Sequence, residues 1–177
     1  EDGQLGLLLR IAALCNDASL KQHKLDGGSR WGIQGDPTEG ALVVAAAKAG
    51  LEKDRLEETY PRVDEIPFDS KDRYMATFHT FHKAGEGRLG VYVKGAPENI
   101  LEKCSRVLEG GRAEQLTPKK KEEIMRASTQ MAREALRVLA LAYDLIDEGR
   151  LGEVKAGLQA GSSHLIFAGL VGMIDPP

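Results

Sequence analysis

Residues 91–99 read VYVKGAPEN. Lys94 falls where a short apolar run gives way to a tight turn. Gly95 and Ala96 carry almost no side-chain bulk, so a ligand can lie close to the backbone there. Pro97 suits the first turn of a helix, whose free N–H groups favour a nearby anion. A lysine at such a corner supplies a point charge, or lays its aliphatic stem against a ring. The plainer alternative is a solvated strand-end lysine ahead of a well-formed helix start.

Five other positions carry the same two-sided reading. Asp36-Pro37-Thr38-Glu39 has the spacing of a capping box, with the glutamate three residues after the cap. Glu39 either closes that helix end or offers a carboxylate at a cleft edge, able to accept from an exocyclic amine of a base. Phe68, in IPFDSKDRYM, is a core residue or a lone aromatic suited to stacking on a planar base. Lys71 and Arg73 in the same stretch are surface charges or phosphate contacts. Arg137, in EALRVLALA, is an exposed strand-end arginine or another anion contact.

These residues need elements to position them. GQLGLLLRIAALCNDASL is apolar at helical spacing, with Leu7, Ile11 and Leu14 on one side, and breaks at Asn16-Asp17. KQHKLDGGSR, residues 21–30, reads as a polar loop with a Gly-Gly turn, and WGIQ as a short strand. GDPTEGALVVAAAKAG is a helix capped by Asp36, opened by Pro37 and ended by Gly50. YPRVDEIPF is extended. RYMATFHTFHKAGEGRLGVYVKG reads as two strands joined by a glycine-rich connector. PENILEKC is a short helix, and RVLEGGRAEQL a hairpin around Gly110-Gly111. TPKKKEEIMRASTQMAREAL is a long amphipathic helix, capped by Thr117, with Ile124, Ala127, Met131 and Ala135 on one face. RVLALAYDLI and HLIFAGLVGMI are β-rich. The mixture of helices and hairpin-joined strands predicts an α/β fold of the α+β kind: a largely antiparallel sheet with helices packed on it.

Several chemistries are excluded. The chain has 177 residues, enough for one domain with a real core. Its net charge of -3 gives no general affinity for nucleic acid or anionic lipid. No apolar run reaches the length of a membrane span, and no signal peptide is present. Cys15 and Cys104 lack metal spacing and read as reduced core thiols. GEGRLG, residues 85–90, matches a dinucleotide fingerprint only on paper. Such a motif must follow a strand and open a helix, whereas here a strand follows. There is no phosphate-binding GxxxxGK[ST] loop. The histidines are scattered, and His79 and His82 read as strand and loop residues. Glu1 in place of Met, and the final DPP, predict a segment of something longer.

Taken in order, ALCNDASL, GDPTEGAL, IPFDSKDRYM, YVKGAPE, LRVLALA and GLVGMIDPP resemble the nucleotide-binding domain of P-type ATPases. The likeness is to type II cation pumps of the calcium-pump kind, and covers residues 3–177. KGAPE is its most specific element. The resemblance implies a twisted, mainly antiparallel sheet flanked by helices, inserted as one domain (residues 1–177) into a phosphorylation domain, with both termini at a hinge. It implies that Lys94, Gly95 and Ala96 floor an ATP pocket, that Phe68 stacks on adenine, and that Glu39 lies near the adenine amine. Met75 edges the pocket, Leu139 packs beside the base, and Arg137 reaches toward ribose and phosphates. Arg73 stands where such pumps often carry lysine. The implied partners are the phosphorylation and actuator domains of the same pump, on the cytoplasmic side of a membrane. The domain itself is expected to be monomeric and to touch neither membrane nor nucleic acid.

The family's DKTGT, GDGxND and TGES motifs do not occur here. The domain is therefore expected to deliver ATP without consuming it, with Mg2+ arriving on the nucleotide. Two alternatives belong to other classes: a small-molecule kinase, which would need its own nucleophile-positioning or phosphate-clamping group, and an interaction domain with a vestigial nucleotide site.

Overall fold

The computed structural model describes residues 3–25, 28–81 and 87–174. The chain opens with helix α1 (Gln4–Leu14), a hairpin of β1 (Ser19–Leu25) and β2 (Gly28–Gln34), and helices α2 (Pro37–Lys48) and α3 (Lys53–Thr59). Strands β3 (Arg62–Asp69), β4 (Tyr74–Thr80) and β5 (Arg88–Gly95) follow, then α4 (Pro97–Glu102), β6 (Cys104–Glu109) and β7 (Arg112–Gln115). Helix α5 (Pro118–Arg133), β8 (Arg137–Asp147), α6 (Leu151–Ala160) and β9 (Leu165–Met173) complete it. One seven-stranded sheet runs β3-β4-β5-β8-β9-β6-β7. All its pairings are antiparallel except β6 with β9. This is the mixed, mainly antiparallel sheet with flanking helices that the sequence predicts.

Strand alternation gives the sheet two apolar faces. Tyr74, Ala76, Phe78, Val91, Val93, Ala140 and Ala142 belong to one core, which includes Ile100 of α4, Ile124 of α5 and Leu158 of α6. Met75, Tyr92, Leu141 and Ala168 belong to the other, under α1, α2 and α3. Lys94 stands two residues from Tyr92, so it shares the second face. Cys15 and Cys104 are free and buried, and burial pushes the Cys104 thiol up to about 12.

Local punctuation matches the sequence. Asp36 Oδ1 accepts the Thr38 and Glu39 N–H groups at 2.9 and 3.2 Å. Thr117 Oγ1 accepts from Lys120 N at 3.2 Å. Gly50 ends α2 in the left-handed region at φ +83°. Gly110 and Gly111 both have positive φ, and Glu109 pairs with Arg112, so they form the two-residue turn of a right-twisted hairpin.

Elsewhere the sequence reading is corrected. Residues 21–25 and 28–30 are not a polar loop: they are strand residues of the paired β1 and β2, and β2 is almost wholly exposed. A strand pair bonded to itself needs no apolar alternation, so its pattern gave no sign. Two helices were not expected. In α3 only Lys53 and Leu56 are buried, and in α6 only Leu158 is fully so. On α5, Ile124 and Ser128 are buried, whereas Ala127 is exposed. Ala135 lies past the helix end, in the left-handed region at φ +59°. His82, Asp175-Pro176-Pro177 and the first part of the glycine-rich connector lie outside the described residues. The RLG of GEGRLG begins strand β5, not a helix.

His79 is fully buried on the second face. Its Nδ1 lies 2.8 Å from the Tyr60 carbonyl oxygen, which can only accept, so Nδ1 carries the proton. Nε2 lies 2.9 Å from the Thr77 hydroxyl and accepts from it. Burial holds the imidazole down to about 4 from its ordinary 6.5, helped by the charges of Arg62 and Lys53 and opposed by the Tyr60 carbonyl. Between those values the unfolded chain binds a proton that the folded protein refuses. Stability is therefore complete above pH 6.5 and falls as pH drops toward 4, by up to about 1.4 kcal/mol per pH unit from this one group. Urea unfolding at pH 7.0, 6.0 and 5.0 should show that loss, and His79→Gln should flatten it. Equal slopes in both proteins would contradict this assignment.

Candidate functional site

Strand register builds a row across the second face of the sheet. Met75 of β4 is paired with Lys94 of β5, and Lys94 with Leu141 of β8. On β3 the register slips between Ile66 and Asp69, so Pro67 and Phe68 together face the single residue Met75. The bulge leaves Phe68 63% exposed beside a Met75 that is 1% exposed. Leu139 lies two residues from Leu141 on β8, half-buried against the same core. Phe68, Met75, Lys94 and the Leu139–Leu141 pair of positions thus lie on four neighbouring strands.

The first turn of α2 stands over this row. The Asp36 cap fixes Glu39 at the third helical position, and the Glu39 N–H, followed by that of Thr38, helps hold the Asp36 carboxyl below its ordinary value. The capping box is only half formed. Instead of closing back on the cap, the Glu39 carboxylate takes Lys94 Nζ on Oε1 and the Asp17 N–H, at 3.2 Å, on Oε2. The two side chains are 8% and 18% exposed, so this is a largely desolvated ion pair. Lys94 is not a solvated strand-end lysine. Arg137, exposed at the start of β8, donates to Thr38 Oγ1 and ties the next strand to the same helical turn.

The GAP turn is tightly packed against its neighbours. A Cβ on Gly95 would lie 2.4 Å from the Arg73 carbonyl oxygen and 2.8 Å from Tyr74 Cα. The side-chain direction of Gly95 is thus filled by the protein's own backbone, so no larger residue fits at this corner. Ala96, 7% exposed, donates its N–H to that same carbonyl at 3.0 Å and caps α4. Arg73 adopts the left-handed conformation, φ +55°, and its guanidinium binds Glu98 at 2.6 Å. Glu98 sits in the first turn of α4, so the helix end already has its negative charge.

The sequence-predicted residues therefore fall into two groups. Glu39, Met75, Lys94, Leu139 and Arg137 converge around α2 and the sheet, with Phe68 at the bulge beside Met75. Gly95, Ala96 and Arg73 form the corner that terminates β5 and starts α4. The Glu39–Lys94 pairing itself, and the support of Glu39 by Asp17, were not read from the sequence. The two partners are 55 residues apart, and no local pattern connects them. Clefts of about 330–400 Å3 among the described residues are lined by other side chains. Among the described residues, no group of three or more His, Cys, Asp and Glu is placed to hold a metal ion. No helix among them is long and apolar enough to cross a membrane.

Sheet, helical turn and ion pair define a class already suggested by the motifs. The family model described as P-type ATPase, cytoplasmic domain N, matches residues 4–177. The chain belongs to that family. It is 39% identical over 171 residues to calcium-transporting ATPase 1 of Bacillus cereus, covering 97% of this chain and 17% of that protein. It is 42% identical over 170 residues to cation-transporting ATPase pma1 of Synechocystis, covering 96% and 17%. It is 35% identical over 171 residues to calcium-transporting ATPase 1 of Lactococcus lactis, covering 97% and 18%. The chain thus spans under a fifth of the length of these relatives.

Gly95→Ala is expected to destabilise the domain by about 1–3 kcal/mol, because the new methyl must displace the Arg73–Tyr74 backbone. Urea unfolding measures it. Stability equal to the parent would mean that the corner has slack and that Gly95 is not fixed by Arg73.

Proposed function

We propose that this domain binds ATP by its adenosine end and presents the γ-phosphate to the phosphorylation domain of a P-type cation-transporting pump. The carrying observation is the row Phe68–Met75–Lys94–Leu141 with the carboxylate of Glu39 standing over it. An exposed aromatic ring beside buried apolar neighbours is a stacking platform. The Lys94 stem lies along the floor, and its ammonium neutralises Glu39. That carboxylate keeps lone pairs beyond those used by Lys94 and Asp17, and can accept from the purine amine. Leu139 borders the apolar side of the base. Arg137, anchored on Thr38, offers its remaining N–H groups toward ribose and phosphates.

The described residues form no magnesium cage. Mg2+ is proposed to travel with the nucleotide phosphates. The domain's contribution to phosphoryl transfer is positioning: holding adenosine fixes where the γ-phosphate lies when the domains close. On this reading the isolated domain neither hydrolyses ATP nor transports. The parent pump, from the names of the relatives, is a calcium-pump-like cation ATPase with its actuator and phosphorylation domains in the same chain.

Phe68→Ala tests the reading cleanly, because a ring 63% exposed contributes little to folding. Calorimetric ATP binding should weaken by about 1–3 kcal/mol, the usual worth of a base–aromatic stack. The unfolding midpoint should stay near that of the parent. Unchanged affinity would remove the platform from the proposed site.

A further inference from the structure

Glu39 is braced from behind. Asn16 is fully buried, and its Nδ2 donates to the Glu39 carbonyl at 2.9 Å and the Ala12 carbonyl at 3.0 Å. Its Oδ1 accepts the Ala18 N–H at 2.8 Å. The next residue, Asp17, gives its N–H to the Glu39 carboxylate. The turn leaving α1 is thus a bracket that holds both the backbone and the side chain of Glu39.

The bracket turns its carbonyls inward, and two cations satisfy them. Lys53, the first residue of α3, donates from Nζ to the Asn16 and Ala18 carbonyls, each at 2.7 Å. It also reaches Glu57 at 3.5 Å. Arg62 donates to the Leu14 and Asn16 carbonyls at 3.1 and 2.7 Å and to Asp17 Oδ1 at 2.7 Å. Lys53 is only 8% exposed. Burying an ammonium costs free energy that an apolar residue at this helix start would avoid. The position faces a non-helical turn, and there the Ala18 carbonyl receives its only described side-chain donor from Lys53.

From this geometry we infer that Lys53 is a positioning residue for the nucleotide site: it clamps the Asn16–Asp17 turn and thereby orients the Glu39 carboxylate toward the purine amine. The inference rests on the adenine reading above. Without Lys53, Asn16 keeps Arg62 but the Ala18 carbonyl loses its donor. The turn relaxes and the Asp17 N–H moves off Glu39. Lys94 still pairs with Glu39, and Phe68 still stacks. The loss is then confined to the one contact that depends on carboxylate direction.

That contact separates ATP from purine riboside 5′-triphosphate, which has the same ring system and phosphates but lacks the exocyclic amine. Calorimetric Kd values for both nucleotides should be compared in the parent, Lys53→Met and Phe68→Ala. The parent should prefer ATP. Phe68→Ala should weaken both alike. Lys53→Met should weaken ATP about tenfold, the scale of a hydrogen bond to a charged group, and the amine-free nucleotide less than about twofold. Amide spectra confirm that each variant is folded. A folded Lys53→Met that keeps the parent ratio, or weakens both nucleotides equally as a merely structural role would, overturns the inference. If Lys53→Met does not fold, Lys53→Gln decides by the same ratio. A parent that does not distinguish the nucleotides overturns the amine contact and this inference with it, whereas loss of the ratio in Lys53→Met alone supports both.

Discussion

The ion pair between Lys94 and Glu39 is the constraint on which the site depends. It joins the middle of a sheet to the first turn of a helix, and both charges are largely withdrawn from water. Such a pair is not a cheap source of stability, because desolvation offsets much of its attraction. Once present, it cannot lose one member without leaving the other charge stranded. The surrounding structure is arranged to meet that demand. Asp36 fixes the helix start, the bulge at Pro67-Phe68 opens the edge strand beside Met75, and the Asn16–Asp17 turn supplies the second partner of the carboxylate. The tight corner at Gly95, wrapped around the Arg73 carbonyl, ends the strand one residue beyond the lysine.

The two faces of the sheet divide the labour. Valines and alanines on one face pack under α4, α5 and α6 and make an ordinary core. The opposite face mixes Met75, Tyr92 and Leu141 with the polar side chains of Thr77, His79 and Lys94, all buried. Burying that much polarity requires partners: Glu39 of α2 for Lys94, the Tyr60 carbonyl after α3 for His79 Nδ1, and His79 Nε2 on the same strand for Thr77. The candidate site residues therefore lie where the protein has accepted the harder packing problem. The domain brings position and complementarity to a base, while metal-holding and phosphoryl-accepting groups belong, on the proposed reading, to other parts of a longer pump.

What was legible in the sequence was local. Asp36-Pro37, Thr117-Pro118 and Gly110-Gly111 each carry their own physical instruction within a few residues, and each appears as expected. The antiparallel sheet followed from hairpin-spaced apolar runs. Of the hairpin of β1 and β2 only WGIQ was legible as a strand, because β2 is almost wholly exposed and shows no apolar alternation. Helix α5 ended earlier than its pattern suggested, so Ala135 left the predicted face. The parallel pairing of β6 with β9 brings together distant segments and has no local signature. In the site, the residue types were visible but their division of roles was not. That Gly95 also lets the Arg73–Tyr74 backbone pack against the corner is seen only in the fold. Lys53 has no local signature, because the carbonyls that it meets belong to a turn 35 residues away in sequence.

The central claim is that adenine binds across the Phe68–Met75–Lys94 row beneath Glu39. An amide-resolved NMR titration of the isotopically labelled domain with ATP, AMP and GTP tests it most directly. ATP and AMP should shift the amides around Glu39, Phe68 and Lys94 to similar extents, since adenosine supplies most of the contact, and GTP should shift them weakly. Shifts that cluster elsewhere, or equal responses to ATP and GTP at these residues, would contradict it.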